Sequence, residues 1–120
     1  MTMIKEIAFV GVPVTDIPRA RGFYEGVLGF KPSGKTDGAW IEYEIGNGTF
    51  GIGNYGDQWK TSDQGTMVAF ECDDLDAMVD RVKQSGATVK MDIMDTPVCR
   101  FTIIADPDGN SVMLHKRRSG

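Results

Sequence analysis

A chain of 120 residues with 41% hydrophobic side chains can bury one modest core and leaves no room for a second domain. Its net charge of -4 would repel nucleic acid, and no apolar run approaches membrane-spanning length. Cys72 and Cys99 are far apart and outside any Cys-x-x-Cys spacing, which argues against a disulfide framework or a thiolate zinc site. The segment Met1-Thr2-Met3-Ile4-Lys5-Glu6 lacks the apolar stretch of a signal peptide, so a cytoplasmic location is expected, with the basic Lys116-Arg117-Arg118 simply solvated.

Residues 4–14 are rich in β-branched side chains and run into Thr15-Asp16, a helix N-cap pattern followed by Ile17-Pro18. The helix this predicts carries Ile17, Ala20, Tyr24, Val27 and Leu28 on one face and ends at Gly29, where a left-handed cap is wanted. Gly22 and Gly26 inside it each cost about 1 kcal/mol of helix propensity, so it must be held by packing. Strands are expected over 31–36, 39–45 and 49–54, separated by Asp37-Gly38 and Gly46-Asn47-Gly48. Residues 55–65 change to Gly, Asp, Gln, Thr and Ser around Tyr55 and Trp59 and read as a linker.

The pattern then restarts with a strand over 66–72, an N-cap at Asp73-Asp74, and a helical stripe of Leu75, Met78, Val79 and Val82 that stops at Gly86. Further strands are expected over 88–91, 99–104 and 111–115, the last two joined by Asp106-Pro107-Asp108-Gly109-Asn110. Proline presets φ in that turn, and Gly109 and Asn110 tolerate positive φ. Val10, Val12 and Asp16 shifted by 58 positions become Val68, Phe70 and Asp74, so strand falls on strand and cap on cap. The chain reads as a tandem duplication, with one module over about 1–56 and another over about 65–118.

On Phe9-Val10-Gly11-Val12-Pro13-Val14-Thr15-Asp16, Phe23-Tyr24-Glu25-Gly26-Val27-Leu28-Gly29-Phe30, Phe70-Glu71-Cys72-Asp73-Asp74-Leu75 and Asp106-Pro107-Asp108-Gly109-Asn110, the sequence resembles the vicinal oxygen chelate superfamily. That superfamily includes glyoxalase I, extradiol dioxygenases, fosfomycin-resistance transferases and bleomycin-resistance proteins. The resemblance implies an α+β fold of two tandem βαβββ modules, whose curved mixed sheets form a cleft with the helices outside, often completed by a dimer partner. It also implies four metal-ligand positions, one early in the first strand and one on the last strand of each module. Here these are Phe9, Gly51, Met67 and Met113, none of which offers a hard oxygen or an imidazole. No metal and no cofactor are therefore expected.

Strand alternation puts Ile41, Tyr43 and Ile45 toward the helices and leaves Trp40 and Glu42 to line the cleft. It also places His115 on the same face as Met113. Gly51 is expected to leave room for a ligand. The expected site is thus Phe9, Trp40, Gly51, Met67 and Met113 as walls, with Glu42 and His115 as polar contacts. Cys99 is expected to be an inert thiol, and Arg100 to pair with Asp95 or Glu71 or to clamp an anion. Three functions follow as expectations: a metal-independent binder of an unidentified small molecule, acting as a homodimer; an enzyme of the superfamily with His115 as base and Glu42 as acid; or a structural dimer with a vestigial cleft.

Overall fold

Asp16 and Asp74 each accept a hydrogen bond at the start of a helix, from the Arg19 and Ala77 backbone N–H groups at 3.0 Å, and each helix begins one residue later. The 58-residue repeat is therefore present in the caps themselves. The computed structural model describes Met3 and residues 6–62 and 64–118. Ile4, where the first strand is expected to start, lies outside the described residues.

The N-terminal half contains β1 (Val10–Pro13), α1 (Ile17–Arg21) continued by a π-helical segment (Gly22–Val27), β2 (Pro32–Ser33), β3 (Trp40–Ile45) and β4 (Gly48–Gly53). A 3-10 turn over Gly56–Gln58 leads to the second half, with β5 (Val68–Glu71), α2 (Leu75–Gln84), β6 (Val89–Asp95), β7 (Cys99–Ala105) and β8 (Ser111–Arg117). Each half is a four-stranded mixed sheet, ordered β1-β4-β3-β2 and β5-β8-β7-β6. In each sheet the first strand pairs parallel with the last, and the remaining pairs are antiparallel.

Three elements differ from expectation for physical reasons. β2 is only two residues long, because Pro32 has no N–H to donate and Gly34 takes φ +78 just after it. β6 extends to Asp95 with register shifts; bulges interrupt the strict alternation that would reveal a strand. The first helix widens after Arg21, so that Leu28 N–H reaches Phe23 O at 3.0 Å. The wider turn brings Phe23, outside the expected apolar stripe, into the core beside Tyr24.

Val12, Val14, Ile41, Tyr43, Phe50 and Ile52 of the first sheet and Ile104, Val112 and Leu114 of the second are buried in one apolar cluster under the helices. Phe70 of β5 ties the halves together, with ring centroids 4.9 Å from Phe30 and 5.2 Å from Phe50. The free edges of β1 and β5 run antiparallel to each other. Pro13, at the end of β1, accepts from Asn110 Nδ2 just before β8 at 2.8 Å. Val10, at the start of β1, shares a cavity with Glu71 and Arg117 at the ends of β5 and β8.

At the helix side, Glu25 accepts from Arg21 Nε at 2.6 Å, Arg21 Nη2 at 3.0 Å and the Tyr43 hydroxyl at 2.9 Å. The Arg21 guanidinium holds the Glu25 carboxyl below its ordinary value. A lowered folded value means that this stabilisation is fully present above the unfolded carboxyl's titration near 4.5 and is lost as pH falls through the folded one. Urea midpoints measured from neutral to acid pH should therefore fall less steeply for Glu25→Gln than for the wild type. An unchanged acid limb would remove Glu25 from the acid sensitivity.

Candidate functional site

Alternation along β1, β3 and β4 sends the large apolar side chains to the core and leaves the opposite face of the first sheet with Gly11, Gly51 and Gly53 as its floor. Trp40 lies on that floor. A Cβ built on Gly51 would stand 2.1 Å from Trp40 Cζ2, and one on Gly11 would stand 3.0 Å from Trp40 Cη2. Trp59 touches the same floor, 3.1 Å from a Cβ at Gly11 and 3.1 Å from one at Gly53. The two indoles, 29° apart in plane with centroids 6.4 Å apart, together pave the sheet. Phe9 meets the edge of Trp40 at 5.3 Å, and Tyr55 lies 6.4 Å from Trp59.

Only glycine allows this close approach of a flat ring to a strand. The indole N–H of Trp40 donates to Glu42 Oε2 at 2.9 Å, which anchors the ring over Gly51. The result is a rigid aromatic surface with a carboxylate at its margin. Phe9 is 52% exposed, so this surface has an open apolar end.

Met113 and His115 stand on the corresponding face of the second sheet, and Met67 immediately precedes β5. Met113 pairs with Ala69 and Ile103, and His115 with Glu71 and Phe101. His115 Nδ1 is 2.6 Å from Glu71 Oε1, while Glu71 Oε2 accepts the Arg117 N–H at 2.6 Å. That backbone bond, with the imidazole second, holds the Glu71 carboxyl below its ordinary value.

The structure thus groups Phe9, Trp40, Glu42 and Gly51 on one sheet and Met113 and His115 on the other. One expectation needs correcting. Gly51 does not leave empty space, because the Trp40 indole occupies it. The carboxylate partner of His115 is Glu71, whereas Glu42 is bonded to Trp40. Trp59 and Tyr55, read as part of a linker, belong to the aromatic surface; two aromatic residues within a Gly, Asp and Ser stretch were the available signal.

The remaining residues singled out by sequence are structural or bonded elsewhere. Arg100 pairs with Asp95 as expected, and with Asp76 of α2 in place of Glu71, each at 3.0 Å. Cys72 and Cys99 are both free thiols. Asp106 and Asn110, the strongest turn signal in the chain, are buried and join the two halves. Asp106 accepts from the Tyr24 hydroxyl, Asn110 Nδ2 and the Asp108 and Asn110 N–H groups at 2.7 to 2.9 Å. Burial, with the Asp106 charge second, pushes the Tyr24 hydroxyl well above its ordinary value.

A groove of 420 Å³ between Phe30, Ile45, Phe70, Met78 and Arg81 lies on the helix side. Its apolar walls pack against the core cluster, so it is a seam between the halves and not part of the glycine face. Among the described residues no three His, Cys, Asp or Glu side chains come together in a way that could hold a metal ion. Phe9, Gly51, Met67 and Met113 supply no donor suited to zinc, iron or manganese, so the residues do not fit such an ion.

A family model described as the Glyoxalase/Bleomycin resistance protein/Dioxygenase superfamily matches residues 6–114. The chain is 32% identical over 112 residues to the anthracycline biosynthesis protein DauV of Streptomyces sp. (strain C5), a match covering 86% of this chain and 38% of that protein. The chain therefore spans less than half the length of that curated relative. In structure it is similar to TnmS3, an antibiotic binding protein from Streptomyces sp. CB03234, with a TM-score of 0.80, 23% identity, and 98% of this chain and 100% of that one covered. It is also similar to a lactoylglutathione lyase from Agrobacterium tumefaciens, with a TM-score of 0.75, 20% identity and 94% of each chain covered. A binder and a lyase sharing one backbone at such identities demonstrate the fold alone, and function has to be argued from the site.

Proposed function

The chain belongs to the glyoxalase/bleomycin resistance protein/dioxygenase superfamily, and from that premise we propose that it is a metal-independent binder of a flat, fused-aromatic small molecule. The observation that carries this is the aromatic paving of Trp40 and Trp59 on the glycine floor, with Glu42 fixing the indole. A planar ligand gains most from a planar, immobilised aromatic surface, since stacking adds to apolar burial and little side-chain entropy is lost on binding. In this arrangement Phe9 extends the apolar surface at its open end, Met67 and Met113 supply a deformable second wall, and Glu42 and His115 are the polar contacts. The name of one relative, from anthracycline biosynthesis, supports a polycyclic aromatic ligand, and an antibiotic binding protein shares the fold.

Both tryptophans of the chain lie in this surface, so their fluorescence reports directly on it. Titration with 2-hydroxyanthraquinone should quench the emission saturably, with the same affinity before and after treatment with EDTA. Trp40→Ala should weaken binding about ten-fold or more, the equivalent of about 1.4 kcal/mol. Absence of saturable quenching would exclude the proposed ligand class, and binding that vanished with EDTA would overturn its metal independence.

We also propose that the protein acts as a homodimer, since β2 and β6 are open sheet edges and Phe9, Met94 and Val98 are exposed. Sedimentation at micromolar concentration should give twice the chain mass of 13.1 kDa. A mass of one chain would refute this. No helix of the described residues is long and apolar enough to cross a membrane.

A further inference from the structure

We infer that the Glu71–His115 pair is a hydroxyl-reading site at the end of the cleft, selecting aromatic ligands that carry a phenol-class O–H; this rests on the ligand class proposed above. Glu71 is clamped at both oxygens by β8, through His115 Nδ1 and the Arg117 N–H, each at 2.6 Å. An ionised carboxylate can only accept, so Nδ1 must carry the ring proton. In the neutral imidazole the other nitrogen, Nε2, is then an acceptor. A carboxylate thus sets the tautomer, and the tautomer makes the ring a detector of hydrogen-bond donors.

The surroundings place this acceptor where the aromatic surface ends. Phe101 and Met113 share its sheet face, and the imidazole side chain is 23% exposed. Glu71 borders the 480 Å³ cavity between the sheet edges, which Val10 also lines. The shared cavity places the start of β1 beside the end of β5. Phe9, one residue before β1 and in contact with Trp40, therefore stands at the same end as the Glu71–His115 pair. Alternation against the buried Val12 and Leu114 puts Gly11 and His115 on the faces of their sheets turned away from the core. In this arrangement Glu71 is a positioning residue and His115 the group that meets the ligand.

The test compares 2-hydroxyanthraquinone with 2-methoxyanthraquinone, two planar probes that differ in whether they can donate a hydrogen bond. Tryptophan quenching should give an affinity about five-fold higher for the hydroxyl compound in the wild type, as one net hydrogen bond allows. That ratio should fall toward one in His115→Leu and recover in part in His115→Gln, whose amide oxygen can accept. It should also fall in Glu71→Gln, whose amide can donate to Nδ1 and permit the opposite tautomer. Arg100→Ala, at an ion pair with α2, should leave the ratio unchanged. Equal affinities for both probes in the wild type would overturn the inference while leaving the aromatic binder intact; binding of neither would remove both. Because His115 is the only histidine, the wild-type protein gives an independent answer by NMR: its imidazole C2–H signal should shift with the hydroxyl probe and not with the methoxy one. The same shift with both would also overturn the inference.

Discussion

Gly51→Ala should cost more ligand affinity than any other single-methyl change in the chain, about ten-fold or more, and should shift tryptophan emission to the red. The added Cβ would lie 2.1 Å from Cζ2 and 2.4 Å from Cη2 of Trp40, far inside van der Waals contact. The backbone at Gly51 is held on both sides, by Gly11 of β1 and Glu42 of β3, so the indole has to move. Once displaced, it loses its bond to Glu42 and its neighbour Trp59, and the flat surface is broken. The stability cost should be smaller, about 1–2 kcal/mol, because Trp40 is half-buried and can turn toward solvent. Fluorescence and a 2-hydroxyanthraquinone titration of the variant measure both effects. A wild-type emission maximum with wild-type affinity would mean that the paving is not the ligand surface.

Asp106→Ala should be the most destabilising polar substitution, by about 3–5 kcal/mol. Asp106 is 4% exposed, and its removal strands the Tyr24 hydroxyl and two backbone N–H groups and takes from the Asn110 amide one of its two acceptors, leaving only the Pro13 carbonyl. Tyr24 is itself fully buried, so water cannot easily replace the lost acceptor. The neighbouring Asp108 makes a useful contrast. It accepts from the Thr15 N–H at 3.0 Å and from the Thr15 hydroxyl, and pairs with Arg19. Its own side chain is nearly buried, but these partners lie at the surface where water can replace it, so Asp108→Ala should cost about 1–2 kcal/mol, less than Asp106→Ala. Urea denaturation followed by circular dichroism measures both. A loss below about 1 kcal/mol for Asp106→Ala would show that the two halves do not depend on this turn for their docking.

The turn also explains why so much of the fold could be read from residues alone. Caps, turns and alternation are local, and each is written in a few adjacent side chains: Asp16 and Asp74 for the helix starts, Gly29 and Gly86 with φ of +83 and +81 for their ends, and Ile41, Tyr43, Phe50 and Ile52 for the buried faces. The repetition of that pattern after 58 residues specifies two like modules without reference to any contact between them. Tertiary structure decided everything that depends on which distant groups meet. The widened helix that buries Phe23 is set by packing against the sheets and not by the 3.6-residue period. Trp59 joins Trp40 only because the segment after β4 folds back over the glycine face, and no periodicity in a linker encodes that. Glu71 and His115 are 44 residues apart and become partners through the parallel register of β5 and β8, where a shift of one residue would turn both side chains to the opposite face. Trp40 fills the space that Gly51 opens because its ring reaches across from a neighbouring strand, a side-chain direction that composition and spacing leave undetermined.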